Sequence, residues 1–342
     1  MQAADLQKGH IHWIAIAQAV AIVMVLMYHV RLLNATTGEN YLFIDQICGF
    51  VGHVHMPTFF FVSGFLLYYS RISQSVKLRA LYKDKALRLL LPFAFCTVLG
   101  NVAQLVFNGF VKHPHDVTPG SFVQSFFFAE GYPWPHRWFL MALILMMVCY
   151  PLYRYVVDGK TRIWLFLLLL MAIRHVLCNV DVNVFSFRQF VYYLPFFFLG
   201  IISCKYRLWQ YLAHWSLPFV LWALALALYI IPCAWSAVQY CMFAYELLCV
   251  SALVATALQL SRCRPMLFSS FRGYVYQIYI FGVAFQAFVE LILWRRLGCP
   301  DALVLLFYVA NVLAGLLLPL LVCKVAEKIP SRMLHLCLGL RA

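Results

Sequence analysis

The feature that most limits how this 342-residue chain can fold is the length of its apolar blocks, such as Ile11–Val30. The blocks run to roughly 18–24 residues, and a helix needs about 20 residues to cross a hydrocarbon core about 30 Å thick. Outer-membrane barrels instead need segments of about ten residues in which apolar and polar side chains alternate. The pattern therefore predicts a polytopic α-helical membrane protein embedded in a lipid bilayer.

The composition excludes a soluble globular enzyme. Hydrophobic residues make up 65% of the chain and charged residues 11%, against about 25% charged residues in a soluble domain. The first apolar block is too long for the h-region of a cleavable signal peptide, so we expect it to remain as a membrane span. The 12 cysteines fall mostly within or beside apolar blocks, which favours buried small side chains over disulfides.

Hydropathy divides the chain into about ten predicted spans. They cover approximately residues 11–33, 50–70, 88–110, 138–153, 163–180, 189–204, 209–231, 238–260, 274–294 and 302–323. If the amino terminus is cytoplasmic, cytoplasmic segments hold 19 of the 26 Lys and Arg residues and the outer segments hold 6, with Arg174 inside a span. The positive-inside rule then predicts that both termini are cytoplasmic.

This orientation also accounts for the formal charge of +14, so no nucleic-acid partner is predicted. No separate water-soluble domain or internal repeat is recognisable. Residues 1–342 are therefore predicted to form a single all-α domain, a bundle of transmembrane helices. No oligomeric state is predicted.

The longest predicted outer loop, about residues 111–136, combines His113, His115 and Asp116 with a segment rich in proline and aromatic residues. The prolines break helices and the aromatic rings suit the headgroup region, so the loop is a candidate lid. The three polar residues have donor atoms for a metal. A solvated loop is the favoured interpretation of their spacing, and no resident metal is predicted.

Polar side chains inside the predicted spans are candidates for function, because a charged one costs about 2.5–3.5 kcal/mol at the helix centre. They are Gln18, His29, His55, Ser63, Arg174, Glu246, Gln286 and Glu290. His29, His53, His55 and His136 come from three segments but reach one predicted depth near the outer surface. Histidine exchanges protons near neutral pH, which favours acid–base chemistry there; histidines bound to water or headgroups are the alternative.

Gln18 and His29 are eleven residues apart in the first predicted span. At 100° per residue they project from one face of the helix, about 16 Å apart along its axis. Gln18 therefore contacts a substrate at mid-membrane or hydrogen-bonds a neighbouring helix, and the sequence leaves both interpretations open.

Five segments in chain order resemble the acyltransferase family 3, multipass membrane enzymes that acylate surface and exported carbohydrates. They are Ile11–His29, His55–Leu66 (similar to the family's His-Met-Pro-Leu-Phe-Phe and Ser-Gly-Phe), Lys85–Pro92, His136–Leu140 and Tyr193–Gly200. Tyr276–Phe281 is similar to a further Tyr-x-Ile-Tyr-Leu run. The chain departs from many relatives at Gln18, where they have a basic residue, and at Gly282, where they have histidine.

The resemblance implies an O-acyltransferase of the bacterial cytoplasmic (inner) membrane. Its donor would be cytoplasmic acyl-CoA, acetyl-CoA by default, and its acceptor a hydroxyl group of a carbohydrate or glycolipid. The catalytic residues implied are His29, His55 and His136, with His29 as general base or acyl carrier. Among the polar residues of the spans, Gln18, Ser63, Gln286 and Glu290 are the candidate substrate contacts. The positive charge of the basic segment makes Arg79, Lys85 and Arg88 the candidate acyl-CoA contacts.

Other interpretations stay open at several positions. The basic segment around Arg79 and Arg88 also serves as a topological anchor, and Ser63 with Gly64 is also typical of a close helix-packing site. A transporter or flippase would have a similar number of spans, although only Glu246 and Glu290 supply membrane-embedded carboxylates. A receptor or structural membrane protein is the third alternative.

Overall fold

The computed structural model describes residues 12–30, 32, 41–74, 77–108, 116–177, 183–231, 235, 241–295 and 301–340. Within these ranges the regular elements are helices. The α-helices, numbered in chain order, are α1 His12–His29, α2 Leu42–Leu67, α3 Leu78–Lys85, α4 Leu91–Phe107, α5 Pro119–Gln124, α6 Trp138–Val148, α7 Tyr150–Val157, α8 Lys160–Leu177, α9 Phe187–Lys205, α10 Leu217–Ile230, α11 Met242–Cys263, α12 Val275–Val289, α13 Val304–Ala326 and α14 Arg332–Cys337.

Short π-helical turns lengthen three of these helices. Tyr68–Ile72 extends α2, Ala86–Leu90 joins α3 to α4, and Glu290–Arg295 follows α12. These joints keep the chain helical across positions where the polar and apolar segments meet.

Six helical stretches of the described residues are long and apolar enough to cross a membrane, and a seventh if α6 and α7 form one bent span. The six are His12–His29, Leu42–Ile72, Leu78–Phe107, Val184–Lys205, Met242–Cys263 and Val304–Ala326. The protein is therefore an all-helical, multipass membrane protein. Ten spans remain a prediction, because α8 carries Lys160, Arg162 and Arg174, while α10 and α12 have only 14 and 15 residues.

The bend between α6 and α7 measures 52°. Pro151 lies in the first turn of α7, where it has no backbone N–H to continue the hydrogen-bond ladder from α6. A proline at this position therefore explains why the predicted span 138–153 is broken in two.

Two helices begin earlier than hydropathy predicts. α2 starts at Leu42 rather than near residue 50, with Asp45 in its first turn, where a carboxylate interacts favourably with the helix dipole. α3 starts at Leu78, so the predicted basic loop with Arg79, Lys85 and Arg88 is helical. Charged turns that extend a helix beyond its apolar part lower the average hydropathy and are missed for that reason.

The core of the bundle forms where α2 packs against α1 and α9. At the crossing of α2 and α9, a Cβ atom on Gly64 would overlap the carbonyl oxygen of Phe197, and one on Gly200 would overlap that of Phe61. The two glycines therefore bring the backbones into direct contact, as small residues do in membrane helix pairs. The half-buried Ser63 is next to this crossing, as its helix-packing interpretation expects.

After α13 the chain folds back against the bundle. Leu338 and Leu340 are buried, and the Gln277 side-chain amide donates a hydrogen bond to the Gly339 carbonyl at 2.7 Å. The segment from α14 to Leu340 thus covers the first turn of α12.

Candidate functional site

The fold brings three predicted catalytic histidines from separate segments into one neighbourhood. His29 is the last residue of α1, and the centroid of its ring lies 6.3 Å from that of His136. The Tyr28 ring lies between His29 and His55, with its centroid 5.1 Å from each of their rings. His29 therefore lies next to His136, and Tyr28 connects it to His55.

Two of the histidines are oriented by their own helices. The Nδ1 atom of His29 lies 2.8 Å from the Val25 carbonyl oxygen, and Nδ1 of His55 lies 2.5 Å from that of Val51. A carbonyl only accepts hydrogen bonds, so Nδ1 carries the hydrogen in both rings. In the neutral form the lone pair is then on Nε2, which is the nitrogen able to accept a proton.

His136 is held by α12 instead. Its Nε2–H donates to the Ile280 carbonyl at 3.1 Å, and the Tyr279 hydroxyl donates to the His136 carbonyl at 2.8 Å. The Trp134 indole N–H also donates to Ile280, at 2.9 Å. Trp134 has φ 63 and ψ 55, a conformation that bulky residues adopt only where their surroundings impose it. These hydrogen bonds therefore fix the conformation of the turn that carries His136.

Arg137 is a second determinant of this turn, and the sequence did not single it out. It is buried, and its Nη2 donates to the carbonyl oxygens of Ser125 at 2.6 Å and Phe128 at 2.8 Å, while Nη1 donates to that of Pro133. One guanidinium thus ties the preceding segment to the residue beside His136.

The first turns of α12 also contact the basic end of the bundle. The Tyr276 hydroxyl donates to the Arg88 carbonyl at 3.1 Å, and Tyr279, which bonds His136, follows about 4.5 Å further along the helix axis. The Tyr-x-Ile-Tyr run therefore joins the segment that carries Arg88 to the segment that carries His136.

At the basic end, one carboxylate is shared by two arginines. Asp84 accepts from Nη2 of Arg71 and from Nε of Arg88, each at 2.8 Å. Arg79 and Arg88 are exposed and Lys85 is half-buried. An anion that binds both guanidinium groups would therefore compete with Asp84. Arg71 lies sixteen residues beyond His55 on the same helical stretch, which corresponds to about 24 Å.

A cavity of about 430 Å³ opens beside the histidines, within the usual size of about 300–1,000 Å³ for small-molecule sites. Its lining comes from α1, α2, α9 and α11: Tyr28, Asp45, Cys48, Gly49, Gly52, His53, Tyr192, Tyr193 and Glu246. Tyr28 lines the cavity and also contacts both His29 and His55, so a ligand in the cavity would lie close to the histidine group.

A buried ion pair supports the wall of this cavity. Arg174 and Glu246 are only 7% and 3% exposed, and Nη2 of Arg174 lies 2.9 Å from Oε2 of Glu246. The Tyr192 hydroxyl donates to Oε1 of Glu246 at 2.7 Å, and Nδ1 of His53 lies 3.8 Å from the same oxygen. The sequence marks Arg174 and Glu246 as costly polar residues but does not show that they pair, because α8 and α11 are distant in the chain.

The four predicted substrate-contact residues lie elsewhere in the bundle. Gln286 is buried between helices, where its side-chain amide donates to the Leu26 carbonyl at 2.9 Å. Glu290 is buried at the end of α12, while Gln18 and Ser63 are half-buried within α1 and α2. None of these four is among the described residues that line the cavity.

The departure at Gly282 has a steric explanation. A Cβ atom there would lie 2.7 Å from Cδ2 of Leu26 and 2.8 Å from the Gly315 carbonyl oxygen. A histidine at this position would therefore not fit between α1 and α13 as they pack here.

Within the described ranges, no group of three or more His, Cys, Asp or Glu side chains is arranged to hold a metal ion. His113 and His115 of the predicted loop lie outside the described residues.

Comparison with known proteins adds one finding. The model of the acyltransferase 3 family, described as an acyltransferase domain, matches residues 11–324. Comparison with curated proteins and with solved structures gave no match. The matched region includes the three histidines, the cavity and the basic end, and it spans nearly the whole chain. The chain therefore belongs to the acyltransferase 3 family.

Proposed function

We propose that this protein is an O-acyltransferase of a bacterial inner membrane that uses cytoplasmic acyl-CoA, with acetyl-CoA as the default donor. Its acceptor is a hydroxyl group of a surface or exported glycan or glycolipid. The observation that carries the proposal is His29, whose backbone-anchored ring lies beside His136 and next to the Tyr28 wall of the cavity.

The anchored ring suits His29 to general-base catalysis. Because Nδ1 donates to Val25, Nε2 is the atom that accepts the proton of the acceptor hydroxyl. The hydroxyl oxygen then forms a bond to the thioester carbonyl carbon, and the carbon–sulfur bond breaks. The departing thiolate takes the proton back from His29, so atoms and charge balance. His55 and His136 already donate their N–H groups to backbone carbonyls, so their other ring nitrogens are able to accept hydrogen bonds from the acceptor hydroxyls and to orient the acceptor.

The basic end supports the donor half of the proposal. Arg79 and Arg88 are exposed cations, and guanidinium groups bind phosphate with paired hydrogen bonds. The contact of Tyr276 with the Arg88 carbonyl and of Tyr279 with the His136 carbonyl gives a short structural connection between the proposed donor and transfer sites.

The test is replacement of His29 by alanine in the purified full-length chain, reconstituted in lipid vesicles with acetyl-CoA and an acceptor glycan extract. Loss of a general base lowers the rate by about 10²–10⁴, so we expect H29A to lose measurable transfer while its thermal unfolding stays close to that of the wild type. Mass spectrometry of the glycan measures the acetyl increment.

The matched control is H214A, because His214 is exposed and bonds Ser216 outside the histidine group. We expect this variant to retain full transfer. Equal activity of H29A and wild type would remove His29 from the mechanism. A wild-type chain that neither binds nor consumes acetyl-CoA would instead favour the transporter alternative.

A further inference from the structure

We infer that the 430 Å³ cavity is the acceptor subsite, that it takes an uncharged sugar, and that Glu246 determines this specificity by excluding sugars that carry a carboxylate. The inference rests on the proposed function, because it names the class of acceptor for the same site.

The cavity lining has acidic character. Asp45 and Glu246 contribute carboxylates, and none of the described lining residues is lysine or arginine. Carboxylates at a binding surface repel a ligand that is also negatively charged, whereas they accept hydrogen bonds from the hydroxyl groups of a sugar. The lining is therefore suited to a hydroxyl-rich, uncharged ligand.

The carboxylate of Glu246 is fixed in place by neighbouring helices. Arg174 on α8 binds one oxygen at 2.9 Å, and the Tyr192 hydroxyl on α9 binds the other at 2.7 Å. A carboxylate has about four acceptor positions, so these two bonds leave capacity for a ligand hydroxyl. A fixed carboxylate orients a ligand better than a mobile one, because folding has already ordered the side chain and binding does not have to.

The guanidinium group of Arg174, which carries the opposite charge, is covered by aromatic rings. The Arg174 guanidinium carbon lies 3.8 Å from the centre of the Tyr192 ring and 5.1 Å from that of Phe243. Arg174 also donates to the Tyr192 carbonyl at 3.2 Å. Since Tyr192 lines the cavity and Arg174 does not, an anionic ligand would meet Glu246 and the tyrosine before it met the guanidinium.

The aromatic side of the cavity is rigid. Tyr193 stacks on Phe60 and on Trp138, with ring centroids 4.8 Å and 5.7 Å apart. Tyr28 and Tyr192 complete this side. Tyrosine presents an apolar ring together with a hydroxyl group, a combination that matches the apolar faces and polar edges of a sugar ring.

The inference is tested by titration calorimetry of the full chain purified in detergent. Methyl glucopyranoside and methyl glucuronopyranoside are titrated separately and then in competition with each other. We expect the uncharged glycoside to bind at least about tenfold more tightly than the uronate, the size of one modest charge–charge repulsion. E246Q removes the negative charge and keeps the acceptor oxygen, so the preference should fall to about twofold or less.

D45N is the second variant, because Asp45 lines the cavity at an exposed position and its replacement removes the other carboxylate charge of the described lining. It should also reduce the preference. If E246Q alone is unstable, R174Q/E246Q removes both charges of the pair together. The matched control is E327Q, since Glu327 bonds Tyr274 at the surface, and it should leave the preference unchanged.

Three outcomes would overturn the inference: uronate binding as tight as that of the uncharged glycoside, no binding of either glycoside, or a preference that E246Q and D45N leave unchanged. Acetyl transfer is measured separately with acetyl-CoA and the uncharged glycoside. A clear binding preference without transfer would contradict the proposed function and leave the sugar subsite standing. Transfer without a binding preference would contradict the inference and leave the proposed function standing.

Discussion

Arg174 and Glu246 form an ion pair inside the bundle, where they are only 7% and 3% exposed. A single charge is expensive in such surroundings, and removing one partner of a buried pair leaves the other uncompensated. The pair is also connected to His53 and Tyr192 at the cavity wall. Its integrity therefore affects both the stability of the bundle and the shape of the cavity.

We predict that R174M lowers the free energy of unfolding by about 3–5 kcal/mol, because Glu246 then stays buried without its guanidinium partner. Denaturant unfolding in detergent would measure the change. The double variant R174M/E246M should recover most of the loss, since it buries no charge.

The control is R188M, which removes the surface pair of Arg188 with Glu130, whose side chains are 38% and 54% exposed. Such pairs contribute about 0–1 kcal/mol. If R174M were no more destabilising than R188M, the buried pair would not have the role assigned to it.

Single residues differ in how far the sequence could identify their contacts. The hydrogen bonds of His29 to Val25 and of His55 to Val51 connect residues four apart, a spacing that any helix provides. The bond of His136 to Ile280 spans 144 residues and depends on how α12 packs. Helical periodicity gives the first kind of contact, whereas the second requires the tertiary fold.

The backbones of α2 and α9 are in direct contact, and Gly64 and Gly200 make this contact possible. We predict that G64A and G200A each destabilise the protein by about 1–3 kcal/mol or more, because an added methyl group has to push two backbones apart. The melting temperature in detergent would measure this. G273A is the control, since nothing lies within 4 Å of a Cβ atom at Gly273. Unchanged melting of G64A would contradict the close crossing.

Hydropathy located the helices better than it located their ends or their neighbours. Each predicted span overlaps a described helix, but six or seven stretches have the length and apolarity of a full span. The charged start of α3 and the proline bend before α7 were missed because an average over a window does not register polar turns at a helix end or a single missing N–H. Which helices pair is a tertiary property that hydropathy does not contain.

The predicted orientation of the whole molecule in the membrane can be measured through the labelling of two native thiols. Cys241 and Cys263 are exposed and flank the two ends of α11, about 33 Å apart by helical rise. With cytoplasmic termini, we predict that a membrane-impermeant maleimide applied to intact cells labels Cys241 and leaves Cys263 unlabelled. Peptide mass spectrometry would measure both. Permeabilised cells serve as the control, in which both thiols should react, and the opposite labelling in intact cells would reverse the topology.

The continuous helical stretch Leu42–Ile72 carries His55 in its interior and Arg71 near its end. The crossing at Gly64 lies between them, and there α2 is in backbone contact with α9. With the proposed donor site at the basic end, the acyl group has to be carried along this stretch, about 24 Å by helical rise, to reach the histidine group. We expect acyl transfer from a donor that carries its acyl group on a long flexible chain. We expect no transfer from a compact acyl phosphate bound at the same arginine.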